Sequence, residues 1–235
     1  MSKINGIERL KALLALEAKQ RLSDGIYDKW LSAGKVISLG TYEPMIDAGE
    51  FNPNVFIVKS GLIRGTYLDK NMEKTVGFAL PGSILISFHC YYGGEPSYYR
   101  YEACCPAEVV CIPKQHFDSL LESSHEFALY IASAHQNQLY YNEYRNHLLS
   151  GDAKSRLLQL TNRIWDSLSD TQKNSTWHSP QTEAASHDCS VKKELHERWK
   201  KIFPLIPSKI IASYLGITEQ HLSKIKKELN RDLFR

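Results

Sequence analysis

The side chains best placed to do chemistry lie near the C-terminus, on a segment with helical spacing. Leu222, Ile225 and Leu229 recur at the interval of one helix face. If that face is buried, a rotation of about 100° per residue turns four polar residues outward. They are Gln220, Ser223, Lys224 and Lys227. An amide, a hydroxyl and two ammonium groups on one exposed helix face suit base edges and phosphates in the major groove of DNA.

The residues before this helix predict a second, shorter helix and a tight turn between the two. Gly216 supplies backbone freedom for the turn, Ala212 is small where the helices must approach, and Thr218 can cap the second helix. The apolar residues that would form the shared core are Ile211, Leu215, Ile217, Leu222 and Ile225. This pattern favours a helix-turn-helix motif over an ordinary helical hairpin.

The motif offers two kinds of DNA contact. Base reading is assigned to Gln220 and Lys224 from their outward position, and to Glu219 because a carboxylate there can accept from a cytosine amino group. The groups expected on the DNA backbone are Ser208, Lys209, Thr218, Ser223, Lys226 and Lys227. Phosphate contacts add affinity without sequence information, and any one of these lysines alone is also consistent with solvated surface.

The charge is distributed unevenly along the 235 residues. Residues 191–235 contain 11 Lys and Arg against 5 Asp and Glu, whereas the preceding 190 residues contain 18 and 21. A basic tail on a slightly acidic body suggests a polyanionic partner for the tail, with a merely solvated tail as the alternative. An apolar content of 43% excludes a disordered chain. Interrupted apolar stretches and five irregularly spaced cysteines predict a cytoplasmic protein with free thiols and no membrane partner.

The elements that must position these groups change type along the chain. Residues 4–22 have the period of an amphipathic helix, and residues 36–112 form short β-prone runs separated by Gly, Pro and Asn turns. That pattern predicts an antiparallel jelly roll rather than a βαβ sheet. The overall prediction is an α+β chain with a β-roll over residues 1–124, a long helix over 125–149 and a helix-turn-helix domain over 150–235. A polar insertion interrupts the last domain at about 169–190.

The long helix has an apolar seam with steps of three and four residues. Its proposed interface residues are Phe127, Ile131, Ala134, Tyr141 and Leu148. A single helix packed on its own sheet would show a similar seam. The length of this one favours a homodimer interface.

Several of these motifs resemble those of the Crp/Fnr family of bacterial transcription regulators. Residues 55–67 are similar to the family's strand–glycine–strand hairpin, and Pro81-Gly82 matches the turn before its ligand-pocket segment. Phe203-Pro-Leu-Ile-Pro with residues 211–218 resembles the form found in Bacteroidetes members. The resemblance implies a cyclic-nucleotide-binding-like sensor, a dimerising central helix and a winged helix-turn-helix. It also implies binding to double-stranded DNA with a two-fold-related site, contact with RNA polymerase, and base reading by Glu219, Gln220 and Lys224.

The sensor half departs from the nucleotide-binding members of that family. They have Phe-Gly-Glu after the Pro-Gly turn, where this chain has no carboxylate and places Ser87. They then have an arginine that holds the cyclic phosphate, where this chain has Ser97-Tyr98-Tyr99 and an out-of-register Arg100. Losing that arginine removes a contact commonly worth roughly 1.5–3 kcal/mol. We therefore expect no response to cyclic AMP.

The residues that fill this region instead are aromatic and thiol-rich. They suggest either a pocket for an unknown small-molecule effector or plain packing in a roll that binds nothing, and we favour packing. The candidate pocket residues are Ser87, His89, Tyr98, Tyr99 and Arg100. No metal or other cofactor is expected, because Cys104 and Cys105 point to opposite faces of a strand.

Two other classes of function stay open beside a non-enzymatic DNA-binding regulator. A cupin-like small-molecule or metal enzyme would need several histidines converging inside the roll, and residues 36–112 contain only His89. A protein-interaction module with a degenerate DNA domain would show no salt-dependent affinity for any duplex.

Overall fold

The computed structural model describes residues 3–149, 151–168, 203–204 and 206–233, which divide into two compact units, 1–147 and 148–235. The first unit begins with helices α1 (Lys3–Ala18) and α2 (Asp24–Ser32). Its strands are β1 (Lys35–Leu39), β2 (Pro44–Ile46), β3 (Val55–Ser60), β4 (Ile63–Asp69), β5 (Met72–Ala79), β6 (Ile84–Ile86), β7 (Arg100–Ala103) and β8 (Ala107–Ile112). A π-helical turn (His89–Gly93) separates β6 from β7, and helices α3 (Lys114–Ser123) and α4 (His125–Leu149) follow β8.

The second unit contains three helices among the described residues. They are α5 (Ala153–Leu168), α6 (Ser208–Leu215) and α7 (Glu219–Leu233). The expected polar insertion at 169–190 lies outside the described residues. None of the described helices is long and apolar enough to cross a membrane.

The strands form two four-stranded antiparallel sheets. The first sheet has the order β1-β8-β3-β6 and the second has the order β2-β7-β4-β5. Alternate side chains of each strand point between the sheets, and Phe56, Ile63 and Val109 are among the buried residues of that inner core. This arrangement confirms the predicted jelly roll.

The helices of the first unit cover the outer face of the first sheet. Val55, Ile57 and Val110 alternate with the inward-facing residues and belong to the same buried cluster as Trp30 and Phe127. The ring centroids of Trp30 and Phe127 are 5.0 Å apart in an edge-on arrangement. The sheet is therefore apolar on both faces, which explains why strands such as β3 do not alternate between apolar and polar residues.

Helix α4 packs against the chain's own first helix, which corrects part of the predicted dimer seam. Phe127, Ile131 and Ala134 are all buried in the protomer's own core, which leaves almost none of their surface for a second copy. The side chains of Tyr141 and Leu148 lie outside the described residues. An apolar helical seam shows that a face is buried, but it does not identify what covers it.

Polar side chains of α4 explain why α1 covers this face. The Tyr130 hydroxyl donates to the carbonyl oxygen of Leu14 at 2.8 Å, and the Ser133 hydroxyl donates to that of Ala18 at 2.7 Å. The Ala18 carbonyl is in the last turn of α1 and has no partner within the helix, so the Ser133 side chain satisfies it, whereas the Tyr130 hydroxyl adds a second contact one turn earlier. The Gly82 backbone also fits closely against α1, since a Cβ there would lie 2.7 Å from the Leu13 carbonyl oxygen, and Gly82 has a φ of +94°.

Candidate nucleic-acid interface and sensor segment

Helices α6 and α7 meet at a tight turn centred on Gly216. Gly216 has a left-handed backbone with φ +65°, a conformation that side chains disfavour. The Ile217 N–H donates to the Ala212 carbonyl at 3.0 Å and closes the end of α6. The Thr218 hydroxyl oxygen then accepts from the His221 N–H at 3.1 Å, which caps the start of α7. The predicted turn and cap are confirmed.

The shared core of the two helices has the expected composition. Its buried residues include Ile210, Ile211, Ala212, Leu215, Leu222, Ile225 and Leu229. Ile217 in the turn is half-buried. These contacts fix the rotation of α7 about its own axis, and that rotation decides which side chains it presents.

The residues predicted to read bases lie on the exposed surface of α7. Glu219, Gln220 and Lys224 are all exposed, and the Lys224 ammonium lies 4.0 Å from a Glu228 carboxylate oxygen. His221, one turn before Lys224, is also exposed and was not selected from the sequence. Its position three residues before Lys224 is the signal that would have placed it on this surface.

The residues predicted to hold phosphates fall into two groups. Lys209, Thr218, Ser223 and Lys227 are exposed. Lys226 differs, because it is half-buried with its ammonium 3.1 Å from the Ser208 hydroxyl and 4.0 Å from the ring centre of Phe203. Burial lowers the pKa of Lys226. The structure thus brings together two groups, Ser208 and Lys226, that were predicted separately.

In the β-roll, two serines occupy the positions where nucleotide-binding relatives are expected to have Glu and Arg. The Ser87 hydroxyl donates to the Ser97 hydroxyl oxygen at 3.0 Å, and Ser97 donates to the Tyr99 carbonyl at 2.8 Å. Both serine side chains are buried. A hydrogen bond between two uncharged hydroxyl groups therefore joins the two ends of the segment between β6 and β7.

Arg100, another candidate pocket residue, is already paired with two carboxylates. Its guanidinium lies 2.5 Å from Asp47 and 2.7 Å from Glu102. The hydrogen bond to Glu102 raises the pKa of Arg100, and burial opposes that rise. Glu102 also pairs with the buried Arg64, which in turn contacts Glu73 at 2.7 Å.

These contacts join two arginines and three carboxylates into one ion-pair network. Its members are Arg64, Arg100, Asp47, Glu73 and Glu102. Arg64 lies on β4, and Arg100 and Glu102 lie on β7, both in the second sheet. The formal charges of the network's members are three negative and two positive. The network therefore gives an incoming phosphate no net attraction at Arg100.

The remaining candidate pocket residues contact one another near the surface. Tyr98 is exposed, and its ring stacks on Tyr67 at 5.9 Å between centroids and meets Tyr99 edge-on at 5.1 Å. The exposed His89 ring lies 6.1 Å from that of Tyr98. The five predicted residues are therefore neighbours in the fold, but Ser87 and Arg100 have their hydrogen-bonding groups occupied within the protein.

The π-helical turn is anchored to α3 by a charged cluster. The Tyr91 hydroxyl donates to the Asp118 carboxylate, and the Lys114 ammonium lies 2.6 Å from the same carboxylate and 4.1 Å above the Tyr91 ring. Burial alone would raise the pKa of Asp118, but the hydrogen bonds from Lys114 and Tyr91 outweigh it and lower that pKa. Burial, with Asp118 alongside, raises the pKa of Tyr91.

Four of the cysteines, Cys90, Cys104, Cys105 and Cys111, lie in the described part of the chain and are free thiols. Burial raises the pKa of the Cys104 thiol to about 12, which keeps it protonated, and it also raises the pKa of Cys105. Within the described ranges, no group of three or more His, Cys, Asp or Glu side chains is placed to hold a metal ion.

Comparison with known proteins identifies the β-roll. Residues 37–124 match the family model described as the cyclic nucleotide-binding domain. The matched region extends from β1 to the end of α3 and includes the serine pair and the ion-pair network. A search of curated protein sequences finds no match to the chain.

Solved structures extend the likeness to most of the chain. FixK2 from Bradyrhizobium japonicum is 16% identical, with a TM-score of 0.61 over 84% of this chain and 85% of that one. The c-di-GMP responsive global regulator CLP of Xanthomonas campestris is 13% identical, with a TM-score of 0.58 over 89% and 93%. A CRP-family transcriptional regulator of Thermus thermophilus, TTHB099, is 16% identical, with a TM-score of 0.57 over 83% and 85%. At these identities the likeness establishes the fold alone, and it confirms the α+β architecture expected from the sequence.

Proposed function

We propose that the protein is a sequence-specific DNA-binding transcription regulator that acts as a homodimer. The observation that supports this most directly is the exposed polar face of α7, whose rotation is fixed by the Gly216 turn, the Thr218 cap and the buried Leu222 and Ile225. A helix anchored in this way can enter a major groove with its first two turns against the bases. Glu219, Gln220 and Lys224 lie on those turns.

Phosphate contacts would hold α7 in that groove. The Ser208–Lys226 pair lies at the N-terminus of α6, where backbone N–H groups and the helix dipole favour an anion. One phosphate can accept from both side chains there. The exposed Lys209 and Lys227 supply further charge on either side.

The homodimer would form through the face of α4 that the protomer's own core leaves uncovered. Leu129 is 50% exposed and Leu139 is 64% exposed, with Ala132 and Gln136 between them at steps of three and four residues. This spacing is that of a coiled-coil seam. It lies on the opposite side of α4 from Ile131, so the interface we propose replaces the one expected from the sequence. Two copies related by a two-fold axis suit a two-fold-related DNA site.

We propose further that cyclic AMP and cyclic GMP are not the effectors. The Ser87–Ser97 pair offers neither a carboxylate for a ribose nor a cation for a phosphate. Arg100 is held by Asp47 and Glu102, so recruiting it would break two ion pairs. A regulator of this kind would act in the cytoplasm, contact RNA polymerase, and respond to a different small molecule if it responds to any.

The cupin-like enzyme considered as an alternative gains no support. The matched domain family is a ligand-binding one and the similar folds are those of regulators. Stoichiometric iron, zinc or manganese in the purified protein would reopen that alternative.

The test begins with selection of bound duplexes from a random pool, followed by titration of the preferred duplex by fluorescence anisotropy. Gln220→Ala and Lys224→Ala should each cost about 1–3 kcal/mol of binding free energy and relax the preference at particular base pairs. Lys209→Ala should weaken all sequences about equally and reduce the salt slope by about one per subunit. Lys29→Ala, an exposed lysine on α2, is the control and should change nothing. Absence of salt-dependent affinity for every duplex would refute the proposal and favour an interaction module.

A further inference from the structure

An arginine outside the helix-turn-helix contacts the end of its first helix. Arg156, on α5, donates from Nη1 to the carbonyl oxygen of Leu215 at 2.6 Å, and its side chain is half-buried. Leu215 is the last residue of α6. Both residues belong to the second compact unit.

The hydrogen bonds around the turn explain why this carbonyl is available. The N–H groups of Gly216 and Ile217 donate to the carbonyls of Ser213 and Ala212. Leu215 lies two residues after Ser213, at the end of the helix, where the helix has no further N–H to offer its carbonyl. A guanidinium is well suited to the position, because the C-terminal end of a helix has partial negative charge and attracts cations.

The same contact bears on where α7 begins. A Cβ added at Gly216 would lie 4.0 Å from Arg156 Nη1, so the guanidinium lies against the turn itself. Thr218, which caps α7, follows Leu215 by three residues, and Glu219 and Gln220 come next. Because so few residues separate them, a shift of the Leu215 carbonyl would also change the position of the proposed base-reading residues Glu219 and Gln220.

We propose that Arg156 is a positioning residue for DNA reading, which holds the α6–α7 turn against α5 and so sets where the base-reading end of α7 points. This inference rests on the proposed function and adds to it a residue that neither the helix-turn-helix pattern nor the exposed charge of α7 includes. Arg156 acts through the Leu215 carbonyl and does not itself touch a base.

The variant Arg156→Gln removes the charge and shortens the reach to Leu215, whereas Arg156→Lys keeps the charge. In the free protein, amide hydrogen exchange at residues 216–222 should become faster in Arg156→Gln and stay close to the original rate in Arg156→Lys. This measurement needs no DNA, so it separates the positioning role from the proposed function. Unchanged exchange in Arg156→Gln would overturn the inference whether or not the protein binds a duplex.

Titration of the preferred duplex supplies the second measurement, at a temperature where circular dichroism shows each variant fully folded. Arg156→Gln should bind about tenfold more weakly, as expected for loss of one hydrogen bond to a charged group, with an unchanged salt slope. Arg156→Lys should recover most of the affinity. A salt slope reduced by about one per subunit would instead mean a direct phosphate contact and overturn the inference.

Unchanged affinity in a folded Arg156→Gln protein would overturn it too, since a residue that only stabilises the fold lowers the melting temperature without changing the affinity of the folded protein. If Arg156→Gln does not fold, Arg156→Met takes its place, with Arg156→Lys as the matched control. Faster exchange at residues 216–222 and loss of affinity in Arg156→Met, with slope and folding intact, support the inference. Full affinity with full exchange protection of residues 216–222 in Arg156→Met overturns it.

Discussion

Replacing Glu102 by Gln should destabilise the β-roll domain much more than the same change at the surface. The Glu102 carboxylate is almost completely buried, and it accepts from Arg64 Nε at 2.8 Å and from Arg100 Nε at 2.7 Å. A Gln side chain keeps one acceptor oxygen but places an NH₂ group against the other guanidinium. One buried interaction between opposite charges is thereby replaced by two donors that face each other.

The size of the effect follows from what remains around each arginine. Removing one partner of a buried ion pair commonly costs about 3–5 kcal/mol. Arg64 keeps Glu73 and Thr75, and Arg100 keeps Asp47 and is 35% exposed, so water can reach it. We therefore expect the lower end, about 3 kcal/mol in the free energy of unfolding. For a chain of this size, that corresponds to a melting temperature lower by roughly 6–12 °C.

The assay is urea denaturation followed by circular dichroism, with Glu108→Gln as the matched control. Glu108 also lies on a strand and pairs with a lysine, Lys59, at 2.9 Å, but the two side chains are 42% and 33% exposed. Its substitution should cost less than about 1 kcal/mol. Equal losses in the two variants would refute the reasoning, because burial would then make no difference to the energy of the pair.

Three further outcomes are expected. Leu139→Glu should give a monomer in sedimentation analysis, because it places like charges at the proposed α4 seam. Leu68→Glu, at an exposed hairpin position, is the control and should leave a dimer. A dimeric Leu139→Glu protein would exclude that seam. Burial lowers the pKa of His135, whose ring packs edge-on against Phe88, so the unfolded chain binds a proton that the folded chain resists. Stability should therefore fall as the pH drops below the ordinary histidine pKa of about 6.5, and urea midpoints should fall less for His135→Gln over the same range. Titration calorimetry with cyclic AMP or cyclic GMP should show no binding at micromolar concentrations, and a micromolar dissociation constant for either would contradict the account of Ser87 and Arg100.

The sequence was sufficient for features whose determinants lie close together in the chain. The helix-turn-helix depends on Gly216 for a left-handed turn, on Thr218 for a cap, and on apolar residues within one or two turns of each other. The jelly roll depends on short apolar runs and on turn residues at their ends, so strand positions were recognisable before their pairing was known. These are local constraints, and they do not depend on how distant parts of the chain fold.

Only the tertiary structure decided what covers each face. The seam of α4 was visible in the sequence, but it is α1, more than a hundred residues earlier, that covers Ile131 and its neighbours and leaves Leu139 exposed. Arg100 was placed in a candidate pocket, yet sheet register sets it beside Asp47 and Glu102 and neutralises it. Burial and charge pairing depend on which segments meet in space, and a spacing pattern along one segment contains no information about its partner.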